Sequence, residues 1–221
     1  MSSRLRVLLV DDHAVVRAGY RHLLAASDGI EVVGEAADGA AAYRLFCELE
    51  PDVVVMDIAL PGVSGIEVMR RMRARRAHAK ILVFSIYEDA IYVTRALQAG
   101  SNGYLTKASA PEALVRAVRA VASGERYLSP DAQHALASVR PAANCANPLE
   151  ALSAREFEVL GLLVQGLSLA QIGERLGLTG KTVANYQSTI RAKLGAENDF
   201  QLARLAEQFR LTTATVDGGR G

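Results

Sequence analysis

Five times between Arg4 and about Ser123 the chain passes from a short apolar, β-branched run into a longer amphipathic stretch, and this alternation constrains the fold most. Parallel strands covered on both faces read as continuous apolar runs, and each must return through a helical crossover of about a dozen residues. The runs Arg6 to Val10, Glu31 to Glu35, Val53 to Asp57, Ile81 to Ser85 and Gly103 to Leu105 predict the strands. The intervening periodicity predicts helices over Ala14 to Ala26, Ala40 to Leu49, Ser64 to Arg75, Asp89 to Ala99 and Pro111 to Ser123. Gly100 and Gly124 fall where helices stop, and Ser109 with Glu112 has the spacing of a capping box for the last helix. The expected architecture is α/β, a five-stranded doubly wound parallel sheet with helices on both faces.

Beyond Gly124 the periodicity fades, and Pro130, Pro141, Asn144, Asn147 and Pro148 accumulate in a segment read as a linker with one short helix. The pattern then becomes purely helical. Ser153 with Glu156, and Ser168 with Gln171, are further capping boxes; Gly177 breaks the chain before a helix running to Leu194, and a fourth helix carries Leu202, Leu205, Ala206 and Phe209 on one face. The expected division is a first domain over 1–124, a linker over 125–148, a small all-α domain over 149–211 and a loose tail over 212–221. A length of 221 residues suits two domains, and 50% hydrophobic with 22% charged residues excludes a disordered or fibrous chain. The longest apolar runs are far below the roughly 20 residues a bilayer demands, and no secretory leader precedes the first strand, so a cytoplasmic protein is expected. Cys47 and Cys145 form no C-x-x-C pair, which gives no sign of a zinc site or disulfide framework. Basic and acidic residues balance at 17 to 16 before Pro148 and 8 to 8 after it, so any nucleic acid must be held by a local patch.

Asp11 and Asp12 follow the first predicted strand and Asp57 closes the third. Parallel strands present their C-terminal ends to one crevice, where open α/β sheets bind ligands. Three carboxylates there repel one another, and a hard divalent cation, Mg²⁺ above all, relieves them. Ser85 and Lys107 arrive at the same edge. Carboxylate, metal, hydroxyl and ammonium together can stabilise a transferring phosphoryl group with one Asp as covalent acceptor. Taken singly, Asp11-Asp12 could cap a helix, Asp57 could sit in a turn, Ser85 and Lys107 could be structural, and Tyr104 could be a core aromatic.

The stretches Val10-Asp11-Asp12-His13, Met56 to Gly62, Phe84-Ser85 and Gly103 to Lys107 resemble the receiver domain of two-component response regulators, which has a flavodoxin-like fold. The resemblance implies that Asp57 is the phosphoacceptor and that Asp11, Asp12, Asp57 and the backbone carbonyl of Ala59 hold Mg²⁺. It implies that Lys107 pairs with the phosphoryl group and that Ser85 and Tyr104 form a switch. Ala108 stands where many receivers have a cis proline. The pairing of Ala59 with Tyr87 leaves the phosphoryl lifetime open.

Leu152 to Leu160, Ile172 to Thr179 and Lys181 to Tyr186 resemble the LuxR-type helix-turn-helix, and the two domains together resemble the NarL/FixJ family of response regulators. Val183, Ile190 and Leu194 repeat at helical spacing and predict the buried side of the third helix, with Lys181, Ala184, Asn185, Ser188 and Arg191 outward. The expected DNA-facing set is Lys181, Thr182, Ala184, Asn185, Tyr186, Ser188 and Arg191: Lys181 and Thr182 on phosphates, Asn185 and Ser188 on base edges. Leu202, Leu205 and Phe209 are the implied dimer contact.

The expected function is therefore a transcription regulator whose partners are a histidine kinase, double-stranded DNA and, when phosphorylated, a second copy of itself. It is not expected to be an enzyme beyond slow self-phosphorylation and autodephosphorylation. A haloacid-dehalogenase-type phosphohydrolase would want a second Asp at Ala59. A phosphorylation-independent binding module would predict an indifferent Asp57→Asn variant.

Overall fold

The computed structural model describes residues 4–138, 148–208 and 211. The chain divides into two compact units, Met1–Arg140 and Pro141–Gly221.

In the first unit β1 (Leu5–Val10), β2 (Ile30–Ala36), β3 (Val53–Met56), β4 (Ile81–Ser85), β5 (Gly103–Thr106) and β6 (Tyr127–Leu128) form one sheet in the order β2-β1-β3-β4-β5-β6. Every pairing is parallel. The crossovers are α1 (Ala14–Ala25), α2 (Gly39–Leu49), α3 (Gly65–Arg75), α4 (Ala90–Gln98) and α5 (Pro111–Ser123). Val7, Leu9, Val53, Val55, Leu82, Phe84 and Leu105 cluster with Leu24 of α1 and Leu114, Val118 and Val121 of α5. The alternate strand residues Leu8, Val10, Val54, Met56 and Val83 are equally buried, together with Phe46 of α2, Met69 and Met72 of α3 and Val93 of α4. Both faces of the sheet are thus covered, which is why the strands are apolar throughout rather than alternating.

Two expectations need correction. The one short helix expected in the linker is α6 (Pro130–Ser138), but the strand β6 precedes it unexpectedly and both pack on the first unit, with Ser129 N–H on the Tyr104 carbonyl and α6 against α4 and β5. A two-residue strand leaves almost no periodicity to read, and Pro130 opens a helix there rather than breaking one. Ser109 does not cap α5. Its hydroxyl meets the Thr106 hydroxyl at 3.0 Å, and Ala110 occupies the cap without a side-chain hydrogen bond.

The second unit comprises a 3₁₀ turn (Pro148–Ala151), α7 (Ala154–Val164), α8 (Leu169–Leu176), α9 (Gly180–Leu194) and α10 (Asp199–Gln208). Both predicted capping boxes are present, Ser153 with Glu156 and Ser168 with Gln171, and Thr179 caps α9. Gly177 sits at φ 63°, a left-handed conformation that glycine adopts without penalty and that turns α8 sharply into α9. The buried pair Arg155–Glu158 and the Arg155 bond to the Leu176 carbonyl tie α7 to the end of α8, while Lys193 reaches Glu156 at 2.7 Å and ties α7 to α9. Residues 139–147 of the expected linker and the expected tail, 212–221, lie outside the described residues.

Candidate phosphoacceptor site and helix-turn-helix

The site is a product of strand register. Val10 of β1 pairs with Met56 of β3, so Asp11 and Asp57, each one residue further on, emerge side by side, and the Asp57 N–H binds the Val10 carbonyl at 3.0 Å. Ser85 pairs with Thr106, and Lys107 N–H then binds the Ser85 carbonyl at 2.7 Å. Sheet order places β1, β3, β4 and β5 consecutively, which brings residues 96 positions apart into contact.

Lys107 Nζ lies 2.7 Å from Asp11 Oδ2 and 2.5 Å from Asp57 Oδ2, bridging two carboxylates whose residues are 2% and 3% exposed. Asp57 Oδ1 accepts the Ala59 N–H at 3.1 Å, and Asp11 Oδ1 accepts the His13 N–H at 2.8 Å. Burial pushes the Asp57 carboxyl above the ordinary carboxylate range, and Lys107 pulls against it. Burial disfavours the Lys107 charge, yet the two carboxylates outweigh that and raise it above an ordinary lysine. The two carboxylates thus favour the charged ammonium, and Lys107 in turn opposes the effect of burial on Asp57.

A group that could hold a cation lies on one side of the crevice, Asp11, Asp12 and His13, whose donor atoms lie within 4.8 Å of one another. Asp12 Oδ1 is shielded from solvent and has the His13 ring beside it, with Nδ1 at 2.8 Å. Adjacent carboxylates concentrate negative charge that a hard divalent ion would neutralise, so the oxygen-rich set fits such an ion.

Ser85 and Tyr104 are both fully buried. Tyr104 points inward and donates to the Tyr87 carbonyl at 2.7 Å; burial pushes its phenol far up, a hydrogen bond with Ser85 opposing. Tyr87 stacks on Tyr92 with centroids 4.1 Å apart and rings nearly parallel. The aromatic of the expected switch thus occupies a packed interior position.

Three contributors escaped the sequence reading. Arg17 Nη1 binds the Asp11 carbonyl at 2.5 Å while its Nε binds Glu35 at 3.2 Å, fixing the turn that carries Asp11 and Asp12. A Cβ on Gly65 would lie 2.1 Å from the Asp57 carbonyl oxygen, so only glycine lets α3 start against the Asp57 backbone. Thr106, beside Lys107, donates to Asp131 of α6 at 3.0 Å. None belongs to a motif with its own chemistry; each is legible only from proximity.

In the second unit α8, the Gly177 turn and α9 form the helix-turn-helix. Val183 and Ile190 are fully buried, while Lys181, Asn185 and Ser188 are exposed and Thr182, Ala184 and Tyr186 half-buried. Arg191 departs from its expected outward placement: its Nη2 lies 2.6 Å from Asp199 Oδ1, and Gln187 binds the same carboxylate at 2.9 Å. Leu202 is 2% exposed and packs within its own unit, so it does not offer the expected dimer contact. Leu205 is half-buried, and Phe209 lies outside the described residues. An amphipathic helix needs its apolar stripe for its own core first, and sequence does not distinguish that stripe from an interface. The large apolar side chain that α10 does expose is Phe200, at 78%.

A phosphoacceptor crevice on a doubly wound sheet followed by a helix-turn-helix defines a two-domain signalling regulator. Residues 7–119 match the model of the response regulator receiver domain, and residues 150–206 that of the bacterial regulatory proteins of the luxR family. The chain is 38% identical to the response regulator GacA of Pseudomonas viridiflava over 214 residues, 96% of this chain and all of that one. It is also similar to the crystal structure of response regulator ChrA of a heme-sensing two-component system, at 38% identity and TM-score 0.53, covering 96% of this chain and all of that one. A structure of two RcsB dimers bound to two parallel DNAs aligns at 25% identity and TM-score 0.60, covering 93% and 98%. The chain belongs to the response regulators with a LuxR-type DNA-binding domain, and it regulates transcription under the control of phosphorylation. Among the described residues no helix is long and apolar enough to cross a membrane.

Proposed function

We propose that Asp57 is the phosphoacceptor, that a histidine kinase or small phosphodonor supplies the group, and that phosphorylation controls dimerisation and specific DNA binding in the cytoplasm. The observation that carries this reading is the Lys107 ammonium clasped between Asp11 and Asp57 at the ends of three strands. An Asp57 oxygen attacks the donor phosphorus as the bond from phosphorus to the donor nitrogen or oxygen breaks, and the leaving group departs with that electron pair. Lys107 then shifts from the bare carboxylate to a phosphoryl oxygen, a charge-assisted contact that replaces the one it loses. The Ala59 N–H, already on Asp57 Oδ1, holds the attacking carboxylate in orientation. Mg²⁺ held by Asp11, Asp12, Asp57 and the Ala59 carbonyl would neutralise charge on the phosphoryl oxygens.

The Ser85 hydroxyl, at the end of β4, turns toward the new oxygens, and the inward Tyr104 ring is the partner position of that state. The switch is a shift between two receiver populations rather than a new fold. The first 124 residues receive the signal, and residues 149–211 read DNA through Lys181 and Thr182 on phosphates and Asn185 and Ser188 on base edges. RcsB, bound to DNA as dimers, supports that arrangement. The protein is a phosphoacceptor rather than an enzyme, with at most slow self-phosphorylation and autodephosphorylation.

The test is selection of binding sites from random duplexes with and without acetyl phosphate and Mg²⁺, with Asp57→Asn in parallel. Tighter specific binding on phosphorylation, absent in the variant, is the expected result. Specific binding indifferent to the phosphodonor would instead make the receiver a passive scaffold.

A further inference from the structure

The end of β5 is bonded along both of its edges. On one edge Thr106 pairs with Ser85 of β4, and the Lys107 N–H takes the Ser85 carbonyl. On the other edge the Tyr104 carbonyl accepts the Ser129 N–H at 2.9 Å, and the Thr106 N–H donates to Ser129 Oγ at 3.4 Å, just before α6 begins. The Thr106 hydroxyl, fully buried one residue before Lys107, donates to Asp131 Oδ2 of α6 at 3.0 Å, which leaves the Ser109 hydroxyl to donate to Thr106 at 3.0 Å. A hydroxyl that donates to a carboxylate makes a charge-assisted bond, stronger than the neutral bonds around it. α6 also packs on α4, and α4 carries Tyr92, whose ring stacks on Tyr87, the residue whose carbonyl takes the Tyr104 hydroxyl. One short helix thus touches both elements that lie against the Ser85 and Tyr104 pair, and the chain runs on from its last residue, Ser138, toward the helix-turn-helix.

We propose that α6 is the element through which the state of the receiver reaches the segment leading to the helix-turn-helix, with the Thr106–Asp131 bond as its latch. This rests on the reading of Asp57 as the phosphoacceptor. With the Tyr104 ring inward, the end of β5 holds Thr106 within reach of Asp131 and α6 is clamped. A hydroxyl-to-carboxylate bond is lost once its oxygens part beyond about 3.5 Å, so a displacement of the β5 end by well under 1 Å opens it. Phosphorylation, by favouring the inward ring, keeps the latch closed; the unphosphorylated receiver opens it more often and frees α6.

The test compares full-length wild type, Asp131→Ala and Asp131→Asn, each with and without acetyl phosphate and Mg²⁺. Hydrogen–deuterium exchange of the α6 amides reads the latch, affinity for the duplex selected with wild type reads the output, and phosphate-affinity gels verify the label. In wild type, phosphorylation is expected to slow exchange in α6 and to tighten DNA binding. Asp131→Ala is expected to take the label, to lose the exchange response and to lower the phosphorylation-induced gain in affinity by roughly tenfold, the equivalent of one hydrogen bond to a charged group. Asp131→Asn offers Thr106 the same acceptor without the charge at the helix start, and is expected to keep both responses. If the Asn variant fails as the Ala variant does, the effect belongs to the helix charge and the latch is overturned. Exchange in α6 that ignores phosphorylation in wild type, or a wild-type response in Asp131→Ala, also overturns the latch while the phosphoacceptor reading stands. DNA binding that ignores phosphorylation in wild type, with α6 still responding, overturns the proposed function instead, and a wild type that takes no label overturns both.

Discussion

Gly65→Ala is the substitution whose effect follows most directly from the geometry. The new Cβ would meet the Asp57 carbonyl oxygen at 2.1 Å and the Ile58 Cα at 2.8 Å. Both are main-chain atoms of the segment that carries Asp57, the proposed phosphoacceptor, so no rotamer change relieves the clash. Either the start of α3 or the Asp57 backbone must move by about 1 Å to restore ordinary contact. Overpacking costs about 1 to 3 kcal/mol, and the immovable partners put this case at the upper end. Loss of the 3.0 Å bond from Gly65 N–H to the Ile58 carbonyl adds about 1 kcal/mol, which the helix propensity gained from alanine offsets. The expected destabilisation of the first unit is about 3 kcal/mol, or a fall in melting temperature of roughly 10 °C. Gly19→Ala, inside α1 with nothing within 4 Å of the added carbon, is the control, and is expected to stabilise by up to about 1 kcal/mol. Urea unfolding measures the stabilities, and acetyl phosphate labelling resolved on phosphate-affinity gels measures the acceptor. If Gly65→Ala unfolds within 1 kcal/mol of wild type and labels at the wild-type rate, the close approach of α3 to Asp57 is wrong.

Lys107→Met leaves two buried carboxylates without their shared ammonium and is expected to cost the metal-free protein about 3 kcal/mol; Mg²⁺ should recover more stability in the variant than in wild type, measured by thermal unfolding with and without MgCl₂. Burial acts to raise the Glu156 carboxyl, but Lys193 and Ser153 prevail and lower it below 4.5. The stability it contributes is therefore present above that value and lost as pH falls through its lowered pKa. Glu156→Gln should be less stable than wild type at pH 7 and converge with it toward pH 3, as followed by circular dichroism. Asp199→Ala frees Arg191 and Gln187 from the carboxylate that now holds them, so non-specific duplex affinity should rise with a steeper salt dependence, measured by fluorescence anisotropy at several NaCl concentrations.

Much of the site was legible because the chemistry sits where local patterns end. Asp11, Asp57, Ser85 and Lys107 each follow or close an apolar run, and a parallel sheet brings such ends to one edge whatever the details of packing. The capping residues Ser153 and Ser168 act within one turn of their own position, so spacing pointed to them, although the same spacing misled at Ser109. Residues that work across long separations were not legible. Arg17 reaches Asp11 and Glu35, Thr106 reaches Asp131, and Arg155 reaches the Leu176 carbonyl.

The sequence by itself determined the alternation of strand and helix, the turn at Gly177 and the order in which acidic and basic groups arrive at the strand ends, because these follow from local periodicity and backbone preference. Only the tertiary structure decided that Lys107 bridges Asp11 and Asp57, that β6 and α6 extend the first unit and that Leu202 is spent on its own core. Those outcomes depend on strand register and on competition among side chains for the same partners. Both are settled by packing between segments tens of residues apart, and no window along the chain contains them.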